Sequence, residues 1–484
     1  MRSQTAIFNM LVRDVMRASP PTVPADVSCA EAVERMVTAN ASSVIVTDPG
    51  NRILGIVTEK DVTRRIAFRV PPETPVETVM THPVLSIPAD EYLYHAIGRM
   101  RRYNLRHLPV LDRNLAVVGI LNLRDTLWAA SAQMMQQIDL ITHEGTLEGL
   151  QQAKTAQVEL AAELLDDGLP APEIQALLTH INNDIYRRVT DFCIAGLDSE
   201  GWGAPPVEFS VIVMGSGGRG ENFIFPDQDN GFVIADYPDE DHNRIDGYFM
   251  ELGSRLTATL DTVGLPLCRG YCMAVNPMWR KTLAQWFRQV EGWWRKRNRA
   301  AIQLADVLFD FQPVWGQDPE LASALRRHIT TTFSQDRAFL RAMYAETSGH
   351  NVGLGLFGGF VTEKENPEHR GQVNLKHHAL LPLVETVRLL SLREGVEQTG
   401  TLARMDALHD LDVIDSYALE ELRSAFVHIT NILLRQQIAD YRIGKAVTYF
   451  VHPDKLSKRT RGRLVEAMRT IDHLRNRVRS EVTV

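Results

Sequence analysis

Cysteine is scarce: Cys29, Cys193, Cys268 and Cys272 are the only four in 484 residues. That is too few for a disulfide framework. Cys268 and Cys272 form a C-x3-C pair with no second Cys or His pair near them in sequence. Ordinary buried thiols are therefore expected there rather than a zinc site. Long apolar runs are also missing, since no stretch approaches the ~18 residues of a membrane span. The N-terminus has one early base, Arg2, and a short apolar patch from Ala6 to Val12, with Arg13 and Asp14 directly after it. No signal peptide, no membrane partner and a cytoplasmic location are the expectation. Positive charge is not in excess: 52 Lys+Arg face 60 Asp+Glu, a net charge of −8. Bulk attraction to nucleic acid is not expected. With 44% hydrophobic and 23% charged residues, the chain reads as globular, and its length suggests about three domains.

Near the N-terminus the chain repeats itself. Residues 13–65 and 77–129 match at a constant offset of 64, pairing Met16 with Met80, Pro24-Ala25-Asp26 with Pro88-Ala89-Asp90, Met36 with Met100, Gly55 with Gly119, and Asp61 with Asp125. Each unit reads as a cap, an amphipathic helix, two strands and the start of a second helix, with Asp26 and Asp90 as N-caps. The strands are expected at Ser43 to Val46 and Ile53 to Val57, and at His107 to Leu111 and Ala116 to Leu121. The repeat resembles the tandem CBS (cystathionine-β-synthase) domain. Its ribose-phosphate motif, Gly-h-x-Thr/Ser-x-x-Asp, stands intact as Gly55-Ile56-Val57-Thr58-Glu59-Lys60-Asp61. In the second repeat Asn122 replaces the hydroxyl residue, although Asp125 remains. The resemblance implies adenine nucleotide (AMP, ADP or ATP) as a regulatory ligand held by Thr58, Asp61 and Asp125, and a homodimer through the CBS pair. A dimerisation module with empty clefts is the plainer reading.

The chemical signature lies further on. Val207 to Met214 reads as a buried strand and runs into Gly215-Ser216-Gly217-Gly218-Arg219-Gly220-Glu221. Asp227-Gln228-Asp229-Asn230 then heads a second apolar strand, Phe232 to Ala235. Glycines let backbone N–H groups approach phosphates, and period-2 alternation sets Asp227 and Asp229 on one side as ligands for Mg2+. Together these features resemble the nucleotidyltransferase superfamily. The closer likeness is to the branch of PII-protein uridylyltransferase and glutamine synthetase adenylyltransferase, and to bacterial signalling nucleotidyltransferases that follow a CBS pair. Pro226 and Gln312 depart from the family pattern.

The resemblance implies Mg2+ (or Mn2+) held by Asp227, Asp229 and a third carboxylate, Asp310, with Asp306 second. Segment 306–314 is read as a strand with Asp306 and Asp310 on one face. The resemblance places Gly215, Ser216, Gly218, Arg219, Glu221 and Lys376 around a nucleoside triphosphate substrate. Arg219 and Glu221 could equally pair with each other. A small regulatory protein is the implied acceptor.

Trp279, Trp286 and Trp293 recur every seven residues on an expected helix, Asn276 to Arg299, that also carries seven bases. Tryptophans packed in the core are expected, rather than a nucleic-acid surface. The expected protein is α+β and multidomain: a tandem CBS pair over 1–130 (11–66 and 75–130), a helical connector over 131–204, a nucleotidyltransferase α/β domain with a mixed sheet over 205–335, and a C-terminal helical bundle over 336–484 that holds the substrate. The expected activity is metal-dependent nucleotidyl transfer, PII uridylyltransferase-like and regulated through the CBS pair. The rival is a non-catalytic adenine-nucleotide sensor on a degenerate transferase scaffold.

Overall fold

The structure, a computed structural model, describes residues 11–67, 69–103, 105–123, 126, 146–316, 318–334, 336–347, 351–355 and 358–483. The chain forms two compact units, Met1–Asp139 and Leu140–Val484.

The first unit contains β1 (Arg17–Ala18), β2 (Thr22–Pro24), α1 (Cys29–Thr38), β3 (Ser43–Thr47), β4 (Ile53–Thr58), β5 (Ile87–Pro88), α2 (Leu93–Arg102), β6 (His107–Leu111) and β7 (Val117–Asn122). Its sheets run β2-β3-β4 and β1-β7-β6-β5. The repeat survives in the register: Val46 pairs with Gly55 and Val110 with Gly119, each beside the same irregularity. Both glycines have a packing reason. A Cβ on Gly55 would lie 2.2 Å from the Met80 sulfur, and one on Gly119 would lie 2.4 Å from the Met16 sulfur. The lead-in methionine of each repeat thus packs on the other repeat, and Ile45, Ile56, Val117 and Ile120 form a shared apolar cluster. The first helix is capped by Ser28, whose side chain accepts from Glu31 N, and not by Asp26. The true cap lies two residues later because the chain turns once more before the helix starts.

The second unit opens with α3 (Leu147–Asp166) and α4 (Ala171–Ser199). These helices, expected as a connector, pack against the helix that backs the sheet. The sheet contains β8 (Phe209–Val213), β9 (Asn230–Ile234), β10 (Arg280–Thr282) and β11 (Gln312–Gly316), in the order β10-β9-β8-β11. It is mixed: β9 pairs antiparallel with β8 and parallel with β10, and β11 pairs antiparallel with β8. Behind it lies α5 (His242–Val263), whose Phe249 ring centroid is 5.0 Å from that of Phe209.

Two sequence expectations change here. The tryptophans do share a buried cluster, with Trp279 6.1 Å from both Trp286 and Trp293. Yet Trp279 precedes β10, and the helix, α6 (Leu283–Lys296), begins only at the Thr282 N-cap, which forms a capping box with Gln285. Residues 306–311 are not strand either. Asn298 caps α7 (Arg299–Leu308), whose Ala301, Ile302, Ala305 and Leu308 are buried at helical spacing, and the strand starts only at Gln312. Asp306 is therefore helical, and Asp310 sits in the turn between.

The rest is mainly helical: α8 (Pro319–Ser334), α9 (Arg337–Thr347), α10 (Leu381–Arg393), α11 (Thr401–Asp410), α12 (Ser416–Arg442) and α13 (Lys458–Thr483). The α10 helix is buried on nearly every side, including its polar residues Glu385, Thr386, Arg388 and Ser391. Among the described residues no helix is long and apolar enough to cross a membrane.

Candidate nucleotide and metal site

The strand β8 ends in one short helical turn, Gly215–Arg219. Its glycines are dictated by close approach. Gly215 has φ +58, and a Cβ there would lie 2.8 Å from Asp229 Oδ2. A Cβ on Gly218 would lie 1.5 Å from the Asp310 carbonyl oxygen. The Ser216 hydroxyl donates to Asn222 Oδ1 at 3.2 Å. The first amides of such a turn have no acceptor within it and face outward.

The alternation of the Asp-Gln-Asp-Asn run is visible in its burial. Gln228 and Asn230 are fully buried, whereas Asp227 is exposed and Asp229 half-buried. Gln228 Nε2 donates to the carbonyls of Thr257 (3.0 Å) and Leu265 (2.8 Å), and Asn230 Oδ1 accepts from Ala274 N at 2.9 Å. The two carboxylates are thus presented by two core amides. Burial first, then Cys268 and Asp227, raise the Asp229 carboxyl well above the usual carboxylate range, while Lys376 works against them. That opposing effect brings the C-terminal Lys376 to the same neighbourhood; its ammonium lies 4.4 Å from the Tyr449 ring centre. A cation shared by the two acids would relieve their mutual repulsion.

The C-x3-C pair also comes to this place. One ligand atom each of Asp229, Cys268 and Cys272 lie within 4.8 Å of one another. Hydrogen bonding with Cys272 lowers the Cys268 thiol from its ordinary value. That same bond, then burial, pushes Cys272 up. The thiols are not the isolated pair that their sequence neighbours suggested, because the third member is a carboxylate from the loop that leads into β9.

Asp310 stands apart from the metal role expected of it. It is fully buried. Arg219 Nη1 donates to Oδ2 (2.7 Å), Arg404 Nη1 to Oδ1 (2.7 Å), and Arg388 Nε to both oxygens at 3.1 Å. Burial alone would raise this carboxyl, but Arg388, Arg404 and Arg219 outweigh it and hold it well below the usual range. Both oxygens accept from guanidinium groups, which puts Asp310 at the centre of a buried ionic cluster. Asp306 is likewise bonded to Arg388. Arg219 also donates to Glu221 Oε2 at 2.7 Å, and Glu221 Oε1 accepts from Thr401 N at 2.7 Å, so both residues work structurally. Arg388 is buried, and Gln312 donates to Thr399 at 2.7 Å.

The helices α3 and α4, which carry no motif, hold the loop after the turn. Lys154 Nζ donates to Gln157 Oε1 (2.9 Å), Asn182 Oδ1 (3.1 Å) and the Ile224 carbonyl (2.9 Å). Gln175 Nε2 donates to the Glu221 carbonyl (3.0 Å), and Thr179 Oγ1 accepts from Asn222 N (3.0 Å). Burial pulls the Lys154 amine down to about 7. These residues and Arg404 were missed. The one signal in the sequence was a lysine and amides standing at otherwise apolar helix positions.

In the first unit Thr58 caps the turn after β4, and Asp61 Oδ2 accepts from Thr58 N (3.0 Å) and Thr58 Oγ1 (2.7 Å). Asp61 Oδ1 accepts from Thr81 Oγ1 at 3.3 Å. Asp125 lies outside the described residues.

The fold and the site define a CBS pair joined to a nucleotidyltransferase-type domain. Comparison with known families agrees. Residues 12–68 and 76–131 match the CBS domain, 155–300 the family described as "Putative nucleotidyltransferase DUF294", and 337–482 its "Putative nucleotidyltransferase substrate binding domain". The chain therefore has the domain make-up of a CBS-containing putative nucleotidyltransferase. Among curated relatives, it is 35% identical over 103 residues to an uncharacterized 17.7 kDa protein of Acidianus ambivalens, covering 21% of this chain and 62% of that one. It is 29% identical over 115 residues to the L-aspartate semialdehyde sulfurtransferase of Methanocaldococcus jannaschii, covering 24% of this chain and 22% of that one. The chain thus spans less than two thirds of these relatives. Among solved structures, it is similar to the CBS domain pair of protein MJ0100 in complex with 5'-methylthioadenosine and S-adenosyl-L-methionine, with 27% identity, TM-score 0.24, and coverage of 26% of this chain and 98% of that one. It is also similar to the CBS domain protein PAE2072 from Pyrobaculum aerophilum complexed with AMP, with 23% identity, TM-score 0.23, and coverage of 24% and 89%.

Proposed function

We propose that the chain is a metal-dependent nucleotidyltransferase that moves a nucleoside monophosphate from a nucleoside triphosphate to a hydroxyl acceptor. The observation that carries this reading is the Asp227/Asp229 pair set beside the glycine turn, with Gly215 held against Asp229. The donor set suits Mg2+ or Mn2+: two carboxylates, one exposed and one half-buried, that repel one another. The metal, when bound, supplies charge neutralisation for the triphosphate and a lower pKa for the attacking hydroxyl. The chain's own residues do the rest. Amides of 215–217 and the Ser216 hydroxyl receive phosphate oxygens, and Lys376 adds positive charge near Asp229. Arg219, anchored by Asp310 and Glu221, keeps the turn in shape rather than touching phosphate. The C-terminal helices supply the acceptor surface. A small regulatory protein, modified as PII is by its uridylyltransferase, is the acceptor class we favour. The CBS pair takes an adenine nucleotide at Thr58 and Asp61, makes the homodimer and biases the transferase.

A second reading rests on Asp310. With that carboxylate fully engaged by arginines, two acids remain for metal, which suits a non-catalytic nucleotide sensor on the same scaffold. Thermal stabilisation by each of the four ribonucleoside triphosphates, with and without Mg2+, on wild type and on Asp227→Ala/Asp229→Ala decides between them. A Mg2+-dependent rise with one triphosphate, absent in the variant and accompanied by pyrophosphate release, is expected. A metal-independent rise with adenine nucleotides alone that survives the substitutions would sink the transferase reading and leave the sensor.

A further inference from the structure

We infer that Asp229, Cys268 and Cys272 form a binding site for a thiophilic divalent cation of the zinc class. One ligand atom from each lies within 4.8 Å of the other two, close enough for small side-chain rotations to close all three on one ion. Main-chain bonds set this arrangement. Gln228 N donates to the Pro266 carbonyl and Asn230 N to the Cys272 carbonyl, both at 2.9 Å, so the loop is pinned to the chain on either side of Asp229. Between the cysteines the chain turns tightly: Tyr271 N donates to the Cys268 carbonyl at 3.0 Å, and Tyr271 has φ +55. The turn brings both sulfurs to one side, and a Cβ built on Gly270 would lie 3.5 Å from one and 3.6 Å from the other. A residue with a side chain would fit there without parting them, so the pairing belongs to the loop's backbone.

The ligand set is informative about the ion. Two thiolates and one carboxylate suit zinc, whereas magnesium prefers oxygen alone. Three protein ligands leave a fourth position for water or for an oxygen of a bound nucleotide. Cys272 is buried, while Cys268 and Asp229 are partly open, so an ion could enter from that side. The residue next to Asp229 is itself fixed: Asn230 donates to the Tyr186 hydroxyl at 3.4 Å and accepts from Ala274 N. The site does not require the transferase reading. If that reading also holds, Asp229 belongs to both ligand sets, and zinc at the thiols withdraws it from magnesium.

The test is a titration of the reduced full-length protein with Co2+, whose thiolate complexes absorb by charge transfer in the near ultraviolet. One Co2+ per chain is expected, displaced by one equivalent of Zn2+. The absorption is expected to vanish in Cys268→Ser and Cys272→Ser and to persist in Cys29→Ser and Cys193→Ser. Should the first two variants fail to fold, thiol alkylation of the wild type with and without Zn2+, mapped by mass spectrometry, gives the same answer: zinc is expected to protect Cys268 and Cys272. Absence of the charge-transfer band, its persistence in the Cys268 and Cys272 variants, or zinc protection mapped elsewhere would overturn the proposal.

Discussion

Replacing Asp310 by Asn is the sharpest perturbation that the structure offers. Asn keeps the shape and removes the charge at the centre of three buried guanidinium groups, those of Arg219, Arg388 and Arg404. Arg219 would still have Glu221 and Arg388 would still have Asp306, but Arg404 would keep only carbonyl oxygens, those of Gln398 and Phe309. Removing one side of a buried ion pair costs about 3–5 kcal/mol. For a unit the size of Leu140–Val484 the unfolding entropy is about 0.7 kcal/mol/K, so the midpoint should fall by about 4–7 °C. Thermal unfolding at pH 7.5 of wild type, Asp310→Asn and Asp310→Asn/Arg404→Met measures this. The double variant should recover part of the loss, because it removes the stranded charge. The sign with pH is also determined. The folded carboxyl is held below its ordinary value of about 3.9, so its contribution is fully present above that pH and is lost as pH falls towards the lowered value. The gap between wild type and Asp310→Asn should be flat from pH 6 to 8 and close only in acid. A midpoint within 1 °C of wild type, about one kcal/mol or less, together with loss of the Mg2+-dependent triphosphate shift, would refute the anchor and restore Asp310 as a metal ligand.

Lys154→Met takes the buried ammonium donor from Gln157 Oε1 and the Ile224 carbonyl, while Asn182 Oδ1 keeps Gln157 Nε2, and about 1–3 kcal/mol of stability should go with the loss. Because the folded amine titrates at about 7 against about 10.4 unfolded, the cost of burying its charge is full below pH 7 and is relieved as pH rises. The advantage of wild type over Lys154→Met should grow by roughly 2 kcal/mol between pH 7 and 9, and denaturant unfolding at the two pH values would read it. Gly218→Ala should destabilise by about 2 kcal/mol or more, because its Cβ would meet a backbone oxygen at 1.5 Å, whereas Gly217→Ala, with nothing nearer than 3.6 Å, should be mild; a circular-dichroism melt that ranks them the other way counts against the geometry. Asp61→Ala in the first CBS repeat should abolish adenine-nucleotide stabilisation there without touching the Mg2+-dependent shift; calorimetry showing unchanged AMP affinity would remove Asp61 from the site.

Elements with local signals were legible from the residues. The offset of 64 carries the two sheets of the first unit down to matching register irregularities at Val46 and Val110. The alternation of Asp227-Gln228-Asp229-Asn230 reappears as carboxylates outside and amides inside. Both are written in spacings of a few residues, and backbone geometry turns such spacings directly into faces. The segment 306–311 was misread because a short apolar run with two acids fits either period, and only the Asn298 cap and the packing of Ile302 and Leu308 select the helix.

What tertiary structure alone decided is which charged group meets which. Asp310 reads as a candidate metal ligand, and Arg388 and Arg404, from helices 78 and 94 residues further along the chain, donate to its oxygens. Cys268 and Cys272 read as plain thiols until main-chain bonds on either side of Asp229 bring a carboxylate to them. Lys154 belongs to no motif, and only the packing of its helix sets its ammonium on the Ile224 carbonyl. A charge is stable in the interior only with a partner, and the partner is chosen by the packing of distant elements, which local spacing does not encode.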